Sequence, residues 1–115
     1  MKNKQGFFSI RLGANMKIGV LDQWYQMNKA KNFSEFYTAI GRQELSMFNI
    51  MYADRYDTIF YISNALMPVR DASLKYNWKR TLPGNTSKTL WTRFRTEKEL
   101  PQYINPESGF LFNTN

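Results

Sequence analysis

The sequence predicts an α+β fold built from antiparallel strands, two helices and a long irregular C-terminal segment. Three observations carry this reading. Two stretches between residues 20 and 40 repeat apolar side chains at helical spacing. Two runs rich in aromatic and β-branched residues, 46–53 and 58–64, flank a polar four-residue turn. All four prolines, Pro68, Pro83, Pro101 and Pro106, fall in the last part of the chain, where they break any regular pattern. With 115 residues, 43% of them hydrophobic and including nine Phe, seven Tyr and three Trp, there is material for one core and one domain at most.

Taken in order, residues 7–12 alternate, with Phe8, Ile10 and Leu12 on one face and Ser9 and Arg11 on the other. That is the period of a half-buried strand. In residues 20–30, Val20, Leu21, Trp24 and Met27 recur at helical spacing while Asp22, Gln26 and Lys29 can face water. A second helix follows: Asn32 can cap it with Glu35 three residues on, and Phe33, Phe36, Tyr37 and Ile40 form its apolar stripe. Gly41 is positioned to stop it. The runs 46–53 and 58–64 read as two strands joined by Asp54-Arg55-Tyr56-Asp57 as a hairpin turn. Residues 65–115 form an extended segment rich in proline and aromatic residues, with a turn at Pro83-Gly84-Asn85. A segment of that length without regular elements is usually functional or part of something larger.

Composition removes whole classes of chemistry. There is no histidine, hence no Ser-His-Asp or Cys-His nucleophile and no imidazole metal ligand. The absence of cysteine removes disulfides and thiolate metal sites. No run approaches the roughly 20 apolar residues of a membrane helix, and no signal-peptide core is visible. None of the seven serines sits in a nucleophile elbow, and Asp54 with Asp57 falls short of the oxygen ligands a calcium ion takes, so no metal and no cofactor is expected.

The net charge of +7 raises nucleic acid as a partner. Residues 70–98 hold eight cations against two acids, interleaved with Tyr76, Trp78, Trp91 and Phe94, as in single-strand binders. The spacing fits no nucleic-acid module, and a solvated basic face is the favoured reading. A single-stranded nucleic-acid module stays as the alternative.

The ending poses a sharper question. Pro101 and Pro106 stiffen the approach, Gly109 permits a bend, and an extended run would put Asn113 and Asn115 on one side. Such a pair is either a frayed tail or half of a site, because a carboxamide aimed into a cleft is a neutral donor able to stabilise an oxyanion.

The run Leu82-Pro83-Gly84-Asn85-Thr86-Ser87, then Leu90-Trp91, Leu100-Pro101-Gln102, and Asn105-Pro106-Glu107-Ser108-Gly109-Phe110 with Asn113 and Asn115, closely resembles the penicillin acylase family. That family comprises penicillin amidases, cephalosporin acylases and acyl-homoserine-lactone acylases among the N-terminal-nucleophile hydrolases. Residues 24–30 and 33–36 look like its helical part, and residues 48–54 like its strand and hairpin start. The resemblance covers nearly the whole chain from about residue 7 and is closest to the lactone-acylase branch. The hairpin departs from it, with Asp57 where the family usually has Gly; aspartate tolerates left-handed backbone better than most residues.

The resemblance implies a partial αββα sandwich and an enzyme whose β-chain begins with a serine freed by self-cleavage, its own α-amine serving as base. Histidine is unnecessary for that chemistry. It implies Asn115 as an oxyanion donor beside a backbone N–H, with Asn113 supporting. Phe48, Ile50 and Tyr52 are either walls of an acyl pocket or simple core packing. Because the chain starts at Met1, lacks a Gly-Ser processing site and is several times shorter than the family's two-chain enzyme, it reads as a single partial domain, residues 1–115, of an acylase β-chain.

Its partners would then be the remaining α and β chains and a small N-acyl substrate, an acyl-homoserine lactone or a penicillin-like amide. Neither membrane nor nucleic acid is expected among them. The piece should be inactive alone, and a folded remnant without ligand or activity is the third possibility. Exposed strand edges favour a homo-oligomer of the fragment. If like the family, the protein is periplasmic or secreted.

Overall fold

The computed structural model describes residues 1–4 and 6–114. Lys2–Asn3 (β1) and Gly6–Phe7 (β2) pair antiparallel as a minimal ribbon. The strand expected over residues 7–12 forms only at its start: Phe7 lies in β2 and Phe8 exchanges two hydrogen bonds with Met1, both at 2.7 Å, whereas among the described residues no strand pairs with residues 9–12, and Ile10 and Leu12 are exposed. A short 3-10 helix, Gly13–Met16, follows.

Helix α1 spans Val20–Lys29 and α2 spans Phe33–Ile40. The start of α2 is the capping arrangement anticipated from Asn32 and Glu35. The Asn32 side chain accepts from the Glu35 amide at 3.0 Å, while Glu35 reaches back to accept from the Lys31 amide at 2.9 Å. Gly41 caps the far end in right-handed backbone, and the left-handed residue that turns the chain is Gln43, at φ 50°.

The orientation of α1 corrects the sequence reading. Leu21 is 84% exposed and Trp24 is half-exposed, whereas Gln23 is fully buried. Val20, Gln23, Met27 and Ala30 form the inward stripe. Gln23 is tolerated there because its Oε1 accepts from the amides of Glu44 and Leu45, both at 2.6 Å, so its carbonyl is satisfied without water.

Phe48–Ala53 (β3) and Ile59–Asn64 (β4) form the expected hairpin, in register from Phe48 opposite Asn64 to Ala53 opposite Ile59. Asp54 organises its turn. One carboxylate oxygen accepts from the amides of Tyr56 and Thr58, at 2.9 and 3.0 Å, and the other from the Tyr52 hydroxyl at 2.8 Å. Asp57 adopts φ 61°, a left-handed conformation that aspartate tolerates better than most residues.

A third strand, Gln102–Ile104 (β5), was not anticipated and pairs antiparallel with β4, giving the order β3-β4-β5. On one face of this sheet, Ile50, Phe60 and Ile62 pack with Phe36 and Ile40 of α2 and with Leu45 and Leu100. Phe33, Tyr37 and Tyr52 close around the Phe60 and Phe36 rings at centroid distances of 4.5–5.7 Å. Fully burying a side chain of this size contributes about 1.5–3 kcal/mol, which makes this seam the main stabilising element.

Between Leu66 and Leu100 no residue is fully buried. That excursion carries 3-10 turns at Ala72–Leu74, Ser87–Thr89 and Glu97–Glu99. Its two ends are zipped by a bridge between Pro68 and Phe94, with the Val69 amide donating to Arg93 and the Arg95 amide to Met67, both at 2.9 Å. Among the described residues, no helix is long and apolar enough to cross a membrane.

Candidate functional site

The terminal motif is approached along a path fixed to the sheet. Asn105, left-handed at φ 44°, clamps the end of β5 onto β4: its amide donates to the Ile59 carbonyl at 2.9 Å and its side-chain oxygen accepts from the Ile59 amide at 2.8 Å. A turn follows in which the Gly109 amide donates to Pro106, with Gly109 at φ 72°, a conformation glycine adopts without steric cost. The Phe110 and Phe112 rings stack 6.2 Å apart, both exposed.

Beyond them Asn113 is exposed but held. Its Oδ1 accepts from Nδ2 of Asn49, 64 residues earlier, at 3.1 Å. Asn115, the residue to which the resemblance carries the oxyanion role, lies outside the described residues.

The three residues named for an acyl pocket lie elsewhere. Phe48, Ile50 and Tyr52 occupy one face of β3 and Asn49 the other, because side chains alternate along a strand. Ile50 is 7% exposed, within the core. Tyr52 packs on Phe36 and Phe33, where burial, with the Asp54 hydrogen bond, pushes its hydroxyl above the ordinary tyrosine value. Phe48 alone has surface to offer, 52% exposed with its ring edge-on to Trp24 at 6.3 Å. The structure therefore separates the pocket trio from Asn113 by the thickness of the sheet.

Asn49 and Asn105 are the residues that reasoning from the sequence passed over as parts of this site. For Asn105 the Asn-Pro pair was a usable turn signal. For Asn49 there was none, because nothing local in β3 announces a partner at the far end of the chain.

The basic excursion does not present open stacking platforms. Arg70 lies 5.4 Å over the Trp78 ring and Arg11 5.8 Å over Trp91, while Tyr76 and Phe94 meet those indoles edge-on. The rings are tied to one another and to cations, as aromatics anchoring an irregular segment are. Asp71 is likewise committed: hydrogen bonds from the Ser73 hydroxyl and amide, aided by Lys88, hold its carboxyl below the usual range despite some desolvation. A groove of about 530 Å³ between α1 and α2, lined by Lys29, Lys31, Glu35 and Arg42 among others, includes no residue of the sheet or the terminal segment.

Comparison with known proteins shows the family. The family model described as penicillin amidase matches residues 3–115, essentially the entire chain and the terminal motif with it. The chain belongs to the penicillin amidase family. Over 99 residues it is 29% identical to the penicillin G acylase of Escherichia coli, an alignment covering 86% of this chain and 11% of that protein. The chain thus spans about a tenth of the length of that curated relative.

Proposed function

We propose that this chain is part of an acylase that hydrolyses the amide bond between an acyl group and a small amine, and that it supplies the carboxamides which receive the negative charge of the reaction. The observation that carries the reading is the exposed Asn113 amide at the end of a clamped approach, in a chain of the penicillin amidase family. In this mechanism a serine hydroxyl from outside the chain attacks the substrate carbonyl carbon, passing its proton to its own α-amine, and the carbonyl oxygen becomes an oxyanion. Collapse of the tetrahedral intermediate expels the amine with that proton, and water then hydrolyses the acyl-serine.

Asn115 donates to the oxyanion together with a backbone N–H, and Asn113 supports it. Carboxamide donors suit the task because they stabilise developing charge without titrating near neutrality. The nucleophile, the second face of the αββα sandwich and most of the substrate cleft come from the remaining polypeptide, so the chain alone should leave N-acyl substrates such as acyl-homoserine lactones or penicillins intact. The acyl pocket also comes from that remaining polypeptide, since Phe48, Ile50 and Tyr52 lie on the face of β3 opposite Asn49, which holds Asn113.

The test is Asn115→Ala in an acylase polypeptide carrying this stretch. Loss of one oxyanion donor lowers turnover about 10²- to 10³-fold; near-normal turnover refutes the assignment.

A further inference from the structure

We infer that Asn49 is a positioning residue, whose side-chain amide sets the place and orientation of the terminal asparagine segment. The inference rests on the acylase reading above and deepens it. Asn49 projects from a rigid element, one residue inside the start of β3: it pairs with Ser63 across the hairpin, and its neighbour Ile50 is locked in the core opposite the fully buried Ile62. A side chain on such a base has little freedom beyond its own rotamers. From there its Nδ2 donates to Asn113 Oδ1.

No other hydrogen bond joins residues 111–114 to the rest of the described residues. The tail leaves its turn at Gly109, and Asn49 is the polar anchor at its far end.

The direction of this bond matters chemically. A carboxamide has one accepting and one donating end. By engaging the oxygen of Asn113, Asn49 turns the Asn113 NH₂ away from the strand, leaving its protons free to donate. The oxyanion donor proposed above follows two residues after Asn113, so holding Asn113 limits the positions the chain can give that donor. Asn49 touches neither substrate nor nucleophile in this scheme and acts only through the tail.

Asn49→Asp tests the idea, since it keeps the shape and removes the donor, and Asn113→Ala is the second variant, cutting the same bond from the exposed tail without altering the strand. In the ¹⁵N-labelled 115-residue chain, either variant should lower the order parameters of residues 111–114 from about 0.85 to below about 0.6, with residues 59–64 unchanged. Unchanged tail order in both variants overturns the inference.

In the acylase polypeptide, Asn49→Asp should reduce kcat about 10- to 100-fold with KM within about twofold, the signature of a misplaced group. Combining it with Asn113→Ala should add little, because both cut one bond. Unaltered kcat in Asn49→Asp, with Asn115→Ala strongly impaired, overturns the positioning role and leaves the acylase reading standing. Normal turnover in Asn115→Ala overturns the oxyanion assignment instead, and the order parameters still report on the Asn49 contact by themselves.

Discussion

Gln23 shows how one polar side chain can hold two parts of a small fold together. It is fully buried on α1, and its carbonyl satisfies two consecutive backbone amides of the loop that leads into β3. Removing an acceptor from buried donors costs about 1–3 kcal/mol for each group stranded. Gln23→Met, which preserves volume but not the acceptor, should therefore lower stability by about 2–4 kcal/mol in urea denaturation, and a midpoint equal to the parent's would show that the amides find other partners. Asp54 makes a related contribution that depends on pH. Desolvation raises its pKa, but hydrogen bonds from Tyr52, Thr58 and Tyr56 outweigh this and hold the carboxyl below its ordinary value. A carboxyl depressed in the folded state stabilises above its unfolded pKa, near 4, and loses that contribution as pH falls through the folded value. Melting temperature should thus drop between about pH 5 and 2, and less steeply in Asp54→Asn, which keeps acceptors for the turn amides but does not titrate. Equal slopes for the two proteins would exclude Asp54 as a source of the acid sensitivity.

At the scale of elements, α2 is the piece that local chemistry specifies most fully. Its cap, its apolar stripe and its stop are all written within eleven residues, 31–41. Asn32→Ala removes the side-chain acceptor for the Glu35 amide and should cost about 1 kcal/mol, read as a shift in denaturation midpoint at constant m-value; no shift would mean that packing of Phe36 and Ile40 alone sets the helix start. The hairpin was legible for a similar reason, since Asp54 and Asp57 are turn formers at the positions where the turn needs them. What escaped was determined over distance. Three residues between Pro101 and Asn105 become β5 only because β4 offers them an edge, and the alternation of residues 7–12 is used only at Phe7 and Phe8, where the first residues of the chain run alongside. The inward stripe of α1 was misjudged because a glutamine with two backbone partners outcompeted a leucine, a result that depends on where the 43–45 loop arrives. The candidate site divides in the same way: the stiffened approach and its bend could be read from Pro106 and Gly109, whereas the Asn49 anchor joins residues 64 apart.

At the scale of the whole molecule, the shape is that of a part that needs neighbours. The radius of gyration is 17.7 Å, with extents of 57 × 30 × 24 Å, against about 13 Å for a compact domain of this length. The main buried cluster draws on α2, β3, β4, Leu45 and Leu100, with Leu66 buried beside β4 in sequence. Outside it, Phe7, Ile10, Ile18, Leu21, Phe110 and Phe112 all lie largely in solvent, and among the described residues β3 has a strand neighbour, β4, on one side only. Apolar side chains and an open edge together favour association. Correspondence to 11% of the length of the Escherichia coli acylase offers a natural source of covering surface, namely the rest of such a polypeptide. Without it, the isolated chain should either associate with itself or compact. The edge and the apolar surface favour the first, so small-angle scattering of dilute protein should give a radius near the structural value, with apparent mass rising through the micromolar range. Addition of the complementary acylase segments should suppress that rise by occupying the same surfaces. A concentration-independent monomer with a radius near 13 Å would mean instead that the excursion folds back over the exposed residues, and that this chain is a self-sufficient domain.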